Sequence, residues 1–172
     1  MKGFSRGVTY IELIVYIAIL VVVVSGATSF LLWTARLHLR SQSFQEVTDN
    51  ASNALNTITR EIRKSAGIYT PTTSSTQLSL ATKEYMPAGE SSSYIDFFLC
   101  GTALCLKKES QNPVVLTSDR VEVTSLQFQE VRTGLNRSSV QIAIGVEYKN
   151  PDNRPDLEAS ITLTSTASLR AY

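Results

Sequence analysis

The chain has one histidine, His38, and two cysteines, Cys100 and Cys105, in 172 residues. The usual zinc ligand sets of Cys and His therefore have no source. There is no Gly-rich phosphate loop, no metal-ligand spacing and no nucleophile elbow. Nothing in the chain calls for a cofactor, and no constellation of residues supports an enzyme. His38 has no fixed partner legible in the sequence and reads as an interfacial helix residue rather than a catalyst. A surplus of charge is missing too: 16 Lys and Arg stand against 15 Asp and Glu, a net +1. That balance argues against a nucleic-acid surface built on bulk charge.

The most telling absence is local. From Leu13 to Ala35 there is no Asp, Glu, Lys or Arg, while the rest of the chain is rich in Ser, Thr, Asn and Gln. Two unlike parts are joined end to end. At about 1.5 Å per residue the uncharged segment makes roughly 34 Å of helix, enough to cross a hydrocarbon core of about 30 Å. A cleaved secretory signal has an apolar stretch of only about 7 to 15 residues, although "SGA" at Ser25 to Ala27 offers a weak cleavage site. A plain membrane anchor fits length and composition but leaves Glu12 unexplained. A carboxylate at a helix centre costs about 2.5 to 3.5 kcal/mol on insertion scales, and less near an end. Lys2 and Arg6 before the segment nearly match Arg36 and Arg40 after it, so charge does not set the orientation. The polar domain is long enough to translocate regardless, which places residues 36 to 172 outside the cytoplasm.

The leader "MKGFSRG" is short, basic and ends in Gly7, and Glu12 is the fifth residue after that glycine. Gly7-Val8-Thr9-Tyr10-Ile11-Glu12-Leu13 resembles the class III signal of type IV prepilins and pseudopilins at Gly, Thr, Ile, Glu and Leu. It departs from that pattern at Val8 and Tyr10. A cut after Gly3 instead would put uncharged Val8 at the fifth position. The resemblance implies cleavage after Gly7 by the prepilin peptidase and methylation of the new Val8 amine. It also implies that Glu12 meets the terminal amine of a neighbouring subunit in the filament. The alternative is a Glu snorkelling into the headgroup zone without a partner.

Beyond the apolar run, Phe44, Val47, Ala51, Leu55, Ile58, Ile62 and Ala66 are spaced 3, 4, 4, 3, 4 and 4. The mean of about 3.7 is an amphipathic helix period, with Gln45, Asp49, Asn53, Asn56, Arg60 and Arg63 on the other face. Gly67 reads as the helix stop, with Pro71 beyond it. One helix from Val8 to Ala66 would be roughly 88 Å long; a hinge near Arg36 is the alternative. Gly26 marks either a local loss of helix regularity or a close packing point. After Pro71 the period falls to two. Strands are expected at 76–81, 94–99, 103–108, 114–116, 121–131 and 139–148, with a last one in "EASITLTSTASLR". The second and third should form a hairpin around Gly101-Thr102, and a bulge is expected between Val123 and Leu126. One long helix followed by antiparallel strands is an α+β class, the helix packed on one sheet face. The expected organisation is a leader at 1–7, a membrane or filament-core half at 8–35, an amphipathic half at 36–67 and a β-rich head at 68–172. "GESSS" at Gly89 to Ser93 reads as a polar loop, and Asp119, Arg120 and Glu122 as turn and edge charges.

The helix end "ITREIRKSAGI", the segments "SYIDFFLCGTALCLKKES" and "DRVEVTSLQFQEV", and the closing "ITLTSTASLR" are similar, loosely, to minor pilins related to pseudopilin J. Cys100 and Cys105 flank a hairpin end, where directly opposed residues lie within disulfide range; the readings are one bond or two free thiols. The resemblance implies a minor pilin or pseudopilin, a structural subunit and assembly or tip factor of a type IV pilus-like or type II secretion filament. Its implied partners are other pilins or pseudopilins through the N-terminal helix, the prepilin peptidase and the inner-membrane assembly platform. The alternative is a single-pass anchored domain that binds a ligand outside the cytoplasm without a filament.

Overall fold

The computed structural model describes residues 9–169, apart from 85, 87 and 134–136. The first element, α1, is a single α-helix over Tyr10–Lys64. The Leu13 amide donates to the Thr9 carbonyl at 3.2 Å, which puts Thr9 at the N-cap position. No proline interrupts the run, and α1 passes through Gly26 and Arg36 without a break. The chain divides into compact units at Met1–Leu39 and Arg40–Tyr172, a few residues beyond the boundary that the charge pattern suggests.

Within the second unit, α1 buries Val47, Ala51, Ala54, Ile58 and Ile62. This is the expected stripe corrected in the middle and at both ends: Ala54 is fully buried where Leu55 was expected, and Leu55 is only partly buried against the core. Phe44 stays 50% exposed, and Ala66 lies beyond the helix and is exposed. The helix ends through Ser65 rather than Gly67: the Ser65 hydroxyl donates to the Ile62 carbonyl at 2.7 Å, and its amide reaches the Glu61 carbonyl at 3.0 Å. Gly67 instead opens the short strand β1, Gly67–Ile68.

The single sheet expected from the sequence is two. The first holds β1, β2 (Leu78–Thr82), β3 (Ser93–Cys100), β4 (Ala103–Lys108) and β5 (Val114–Val115), in that order and antiparallel throughout. β3 and β4 turn over Gly101-Thr102 with Gly101 at φ +71°. Glycine at the first central position of a two-residue turn matches the right-handed twist of the strands. Ser93 belongs to β3 and is buried, so the polar loop ends one residue earlier than expected.

The second sheet holds β6 (Val121–Thr133), β7 (Arg137–Tyr148) and β8 (Ser160–Ser168). The expected bulge is real: the β6–β7 register shifts between Val123 and Ser125. It sets two residues, Thr124 and Ser125, against Gly145. A Cβ at Gly145 would lie 2.5 Å from the Ser125 hydroxyl oxygen and 3.0 Å from that of Thr124, so a side chain there would require the bulge hydroxyls to shift.

The core lies where both sheets meet the second half of α1. Leu78, Leu80, Ile95 and Phe97 line it from the first sheet, and Val140, Ile142, Ile144 and Val146 from β7. The loop before β6 is tied to α1 by polar contacts. The Ser118 amide donates to Asn50 Oδ1 at 2.7 Å and its hydroxyl to Glu46 Oε1 at 3.1 Å. Arg120 Nη1 lies 4.0 Å from Glu46 Oε2. Arg120 is thus part of a helix-to-loop clasp as well as a turn charge.

Candidate functional site

The site begins at the first turn of α1. With Thr9 at the N-cap position, Glu12 is the third helical residue, where the exposed amides and the helix dipole favour an acid by about 0.3 to 1 kcal/mol. The spacing Thr-x-x-Glu is also that of a capping box. The carboxylate does not fold back to close one. It turns forward along the helix, and Glu12 Oε1 accepts a long hydrogen bond, 3.4 Å, from the Tyr16 hydroxyl. Among the described residues no basic side chain pairs with it. Gly7 and Val8, the expected cleavage and methylation positions, lie outside the described residues.

The helix after Glu12 is apolar and bare. Leu13, Ile14, Val15, Ile17, Leu20 and Val22 are all about half exposed or more. Its Ser and Thr residues are exposed, and each hydroxyl donates to a backbone carbonyl one turn earlier. Ser25 donates to the Val21 carbonyl at 2.7 Å, Thr28 to Val24 at 2.8 Å, Ser29 to Ser25 at 2.9 Å and Thr34 to Phe30 at 3.0 Å. With Tyr16 bonded to Glu12, each hydroxyl from 13 to 35 has an internal acceptor. This is how a helix carries Ser and Thr where no water is present. Phe30 and Trp33 pack ring against ring, centroids 6.1 Å apart, one turn before Arg36. An aromatic pair followed by a cation is what a membrane–water boundary favours. One N-terminal helix is therefore long and apolar enough to cross a membrane. His38 lies within the same helix, just past its uncharged run, and has a partner within the chain.

In the head, Cys100 and Cys105 are joined in a disulfide. They are not directly opposed, as expected, but diagonal. Cys100 faces Ala103 and Cys105 faces Phe98 across the β3–β4 ladder. The two Cα atoms are 5.9 Å apart, inside the range a disulfide spans. Same-face diagonal neighbours at the end of a twisted hairpin come close enough to be bridged.

Beside the β7–β8 connection the head has an open cleft of about 460 Å³, lined by Glu122, Glu147, Lys149, Asn150, Arg154 and Glu158 among others. Its charges are partly neutralised within it: Lys149 Nζ lies 3.8 Å from Glu122 Oε1, and Arg154 Nη2 lies 3.9 Å from Asp156 Oδ2. Among the described residues, no group of three His, Cys, Asp or Glu is placed to hold a metal ion. Sequence reasoning missed Glu61, which is buried at 7% with its carboxylate 3.7 Å from Arg60. Its position beside Ile62 on the helix period could have shown it.

Comparison with known protein families, with curated proteins and with solved structures finds no match to this chain.

Proposed function

We propose that this chain is a minor pilin or pseudopilin, a structural subunit and assembly or tip factor of a type IV pilus-like or type II secretion filament. One observation carries the reading. Glu12 is the sole charged residue from 10 to 35, in a helix half whose hydroxyls are bonded inside and whose apolar side chains are exposed. Those side chains need lipid or other apolar helices around them. In either place an unpaired carboxylate is costly, up to about 2.5 to 3.5 kcal/mol at mid-membrane. The helix dipole returns at most about 1 kcal/mol, and the 3.4 Å bond from Tyr16 is too long to make up the rest. A nearby cation is the remaining compensation. Cleavage after Gly7 creates one, the α-amino group of Val8, on each subunit.

Under this reading a monomer in the membrane carries an unpaired acid. A subunit in register with its neighbour has that acid paired with the neighbour's amine. The apolar faces supply the packing and the charge pair sets the register. The head lies outside the cytoplasm, and the partners are other pilins or pseudopilins, the prepilin peptidase and the membrane assembly platform.

The test is the N-terminal residue and mass of the protein isolated from membranes of its own cells. The expected chain begins at Val8 and carries a methylated amine. A chain that keeps Met1 to Gly7, in cells with active prepilin peptidase, overturns the proposal and leaves a membrane-anchored binding domain.

A further inference from the structure

The second sheet ends in a long strand edge with nothing bonded to it among the described residues. Tyr148 donates to the Ala159 carbonyl, and Leu169 to Ser138, in register with the β7–β8 ladder. The bonded pairs therefore use the odd-numbered residues of β8, Ile161 through Ala167. Antiparallel pairing then turns both the N–H and the C=O of Ser160, Thr162, Thr164, Thr166 and Ser168 away from β7. Among the described residues none of these outward groups has a partner. The other outer edges differ. β1 and β5 are two residues each. The β6 edge is tied to the first half of the head, Val123 donating to the Thr102 carbonyl at 2.7 Å and Phe128 to that of Ser75 at 2.8 Å.

Proteins guard free edges with lysine, proline, bulges or very short strands. β8 has none of these. "SITLTSTAS" holds no charge and no proline, runs nine residues, and pairs with β7 without a register shift. Its core-side row is left incomplete, since Ile161 and Leu163 are only half buried. At the Ser160 end the exposed carboxylates of Glu147 and Glu158 have no ionic partner among the described residues.

We propose that the β8 edge accepts an extended strand from another protein. The partner strand is uncharged along the paired length. Its apolar residues alternate so as to continue the row of Ile161, Leu163 and Ala167, and it carries a basic residue at the end that meets Ser160, beside Glu147 and Glu158. Main-chain hydrogen bonds supply the affinity, and the alternating side chains select the partner. A second copy of this chain is a poor occupant. Pairing two β8 edges requires a two-fold axis normal to the sheet, which reverses the packed part of α1. Residue 40 of each copy would then emerge at opposite ends of the pair, and the two could not enter one membrane. Only this exclusion rests on the anchored-subunit reading; the edge itself does not.

The test uses the full chain in mild detergent. The probe is a fluorescein-labelled, end-capped peptide with the sequence of residues 160–168 followed by one lysine. Thr164→Pro removes one outward N–H and leaves the bonds of Leu163 and Ser165 to β7 in place. Thr164→Lys adds a guard charge at an exposed site and serves if the proline variant does not fold. Saturable anisotropy with the unmodified chain, and affinity at least tenfold weaker in both variants at unchanged circular dichroism, is the expected result. No saturable binding, or equal affinity in all three, overturns the proposal. A dimer of the unmodified chain that Thr164→Lys converts to a monomer would assign the edge to a second copy and overturn the choice of partner. Peptide binding is read independently of leader cleavage, so either proposal can fail without the other.

Discussion

Ile58 and Phe44 are equivalent in the hydrophobic period of α1, and the structure makes them unequal. Ile58 is 0% exposed in the hydrophobic core, whereas Phe44 is 50% exposed. Ile58→Ala removes a buried branched side chain. The lost transfer free energy, at about 0.8 kcal/mol per carbon group, comes to roughly 2.4 kcal/mol. The unfilled cavity adds to it, within the range of about 2 to 5 kcal/mol for such truncations. Phe44→Ala removes a larger group that is already half in water. Half of the transfer value of a fully buried side chain is about 1 kcal/mol, and no enclosed cavity forms. Against a total stability of about 5 to 15 kcal/mol, the first change is severe and the second mild. The assay is guanidinium unfolding of the full chain in mild detergent, followed by far-ultraviolet circular dichroism. The expected result is a midpoint shift at least twice as large for Ile58→Ala, with an unchanged slope. An equal or larger shift for Phe44→Ala would refute the packing of α1 against the sheets.

Two further predictions concern the membrane half and the hairpin. Glu12→Leu removes the charge and keeps the apolar helix, so membrane insertion should be unchanged while incorporation into filaments is lost. Normal incorporation, measured by the variant's content in sheared filaments, would sink the pairing of Glu12 with a neighbour's amine. Replacing Cys100 and Cys105 together by Ser opens a loop closed over a separation of 5 residues. Chain-entropy arguments for so short a loop give a loss of about 2 kcal/mol, read as a lower unfolding midpoint under non-reducing conditions. No difference between the unmodified chain and the double variant would remove any stabilising role for the bond.

Much of this architecture is legible in the residues because it depends on near neighbours. An unbroken helix follows from a proline-free run whose apolar period passes from all-round to one-sided near Arg36. The Gly101-Thr102 hairpin follows from two alternating segments with a glycine at the joint. The bulge follows from the phase change between Val123 and Leu126, and it sets Thr124 and Ser125 against Gly145. The acid at position 12 stands out against a segment with no other charge. Each of these is fixed within a few residues by sterics, hydrogen bonding or the cost of burying charge.

What the tertiary structure decided concerns distant partners. The division into two sheets depends on which strand edges meet, and alternation alone is the same for one sheet or two. β1 exists because Gly67 and Ile68 find Ala81 and Leu80, a pairing that two residues do not announce. The diagonal relation of Cys100 and Cys105 is set by the register of β3 on β4. Phe44 is half exposed and Glu61 buried because burial depends on where the sheets end, a property of packing and not of helix period. The free edge of β8 is decided in the same way. Its uncharged alternation is plain in the sequence, but only the fold shows that no further strand pairs with it among the described residues, because an edge is defined by what other segments leave uncovered.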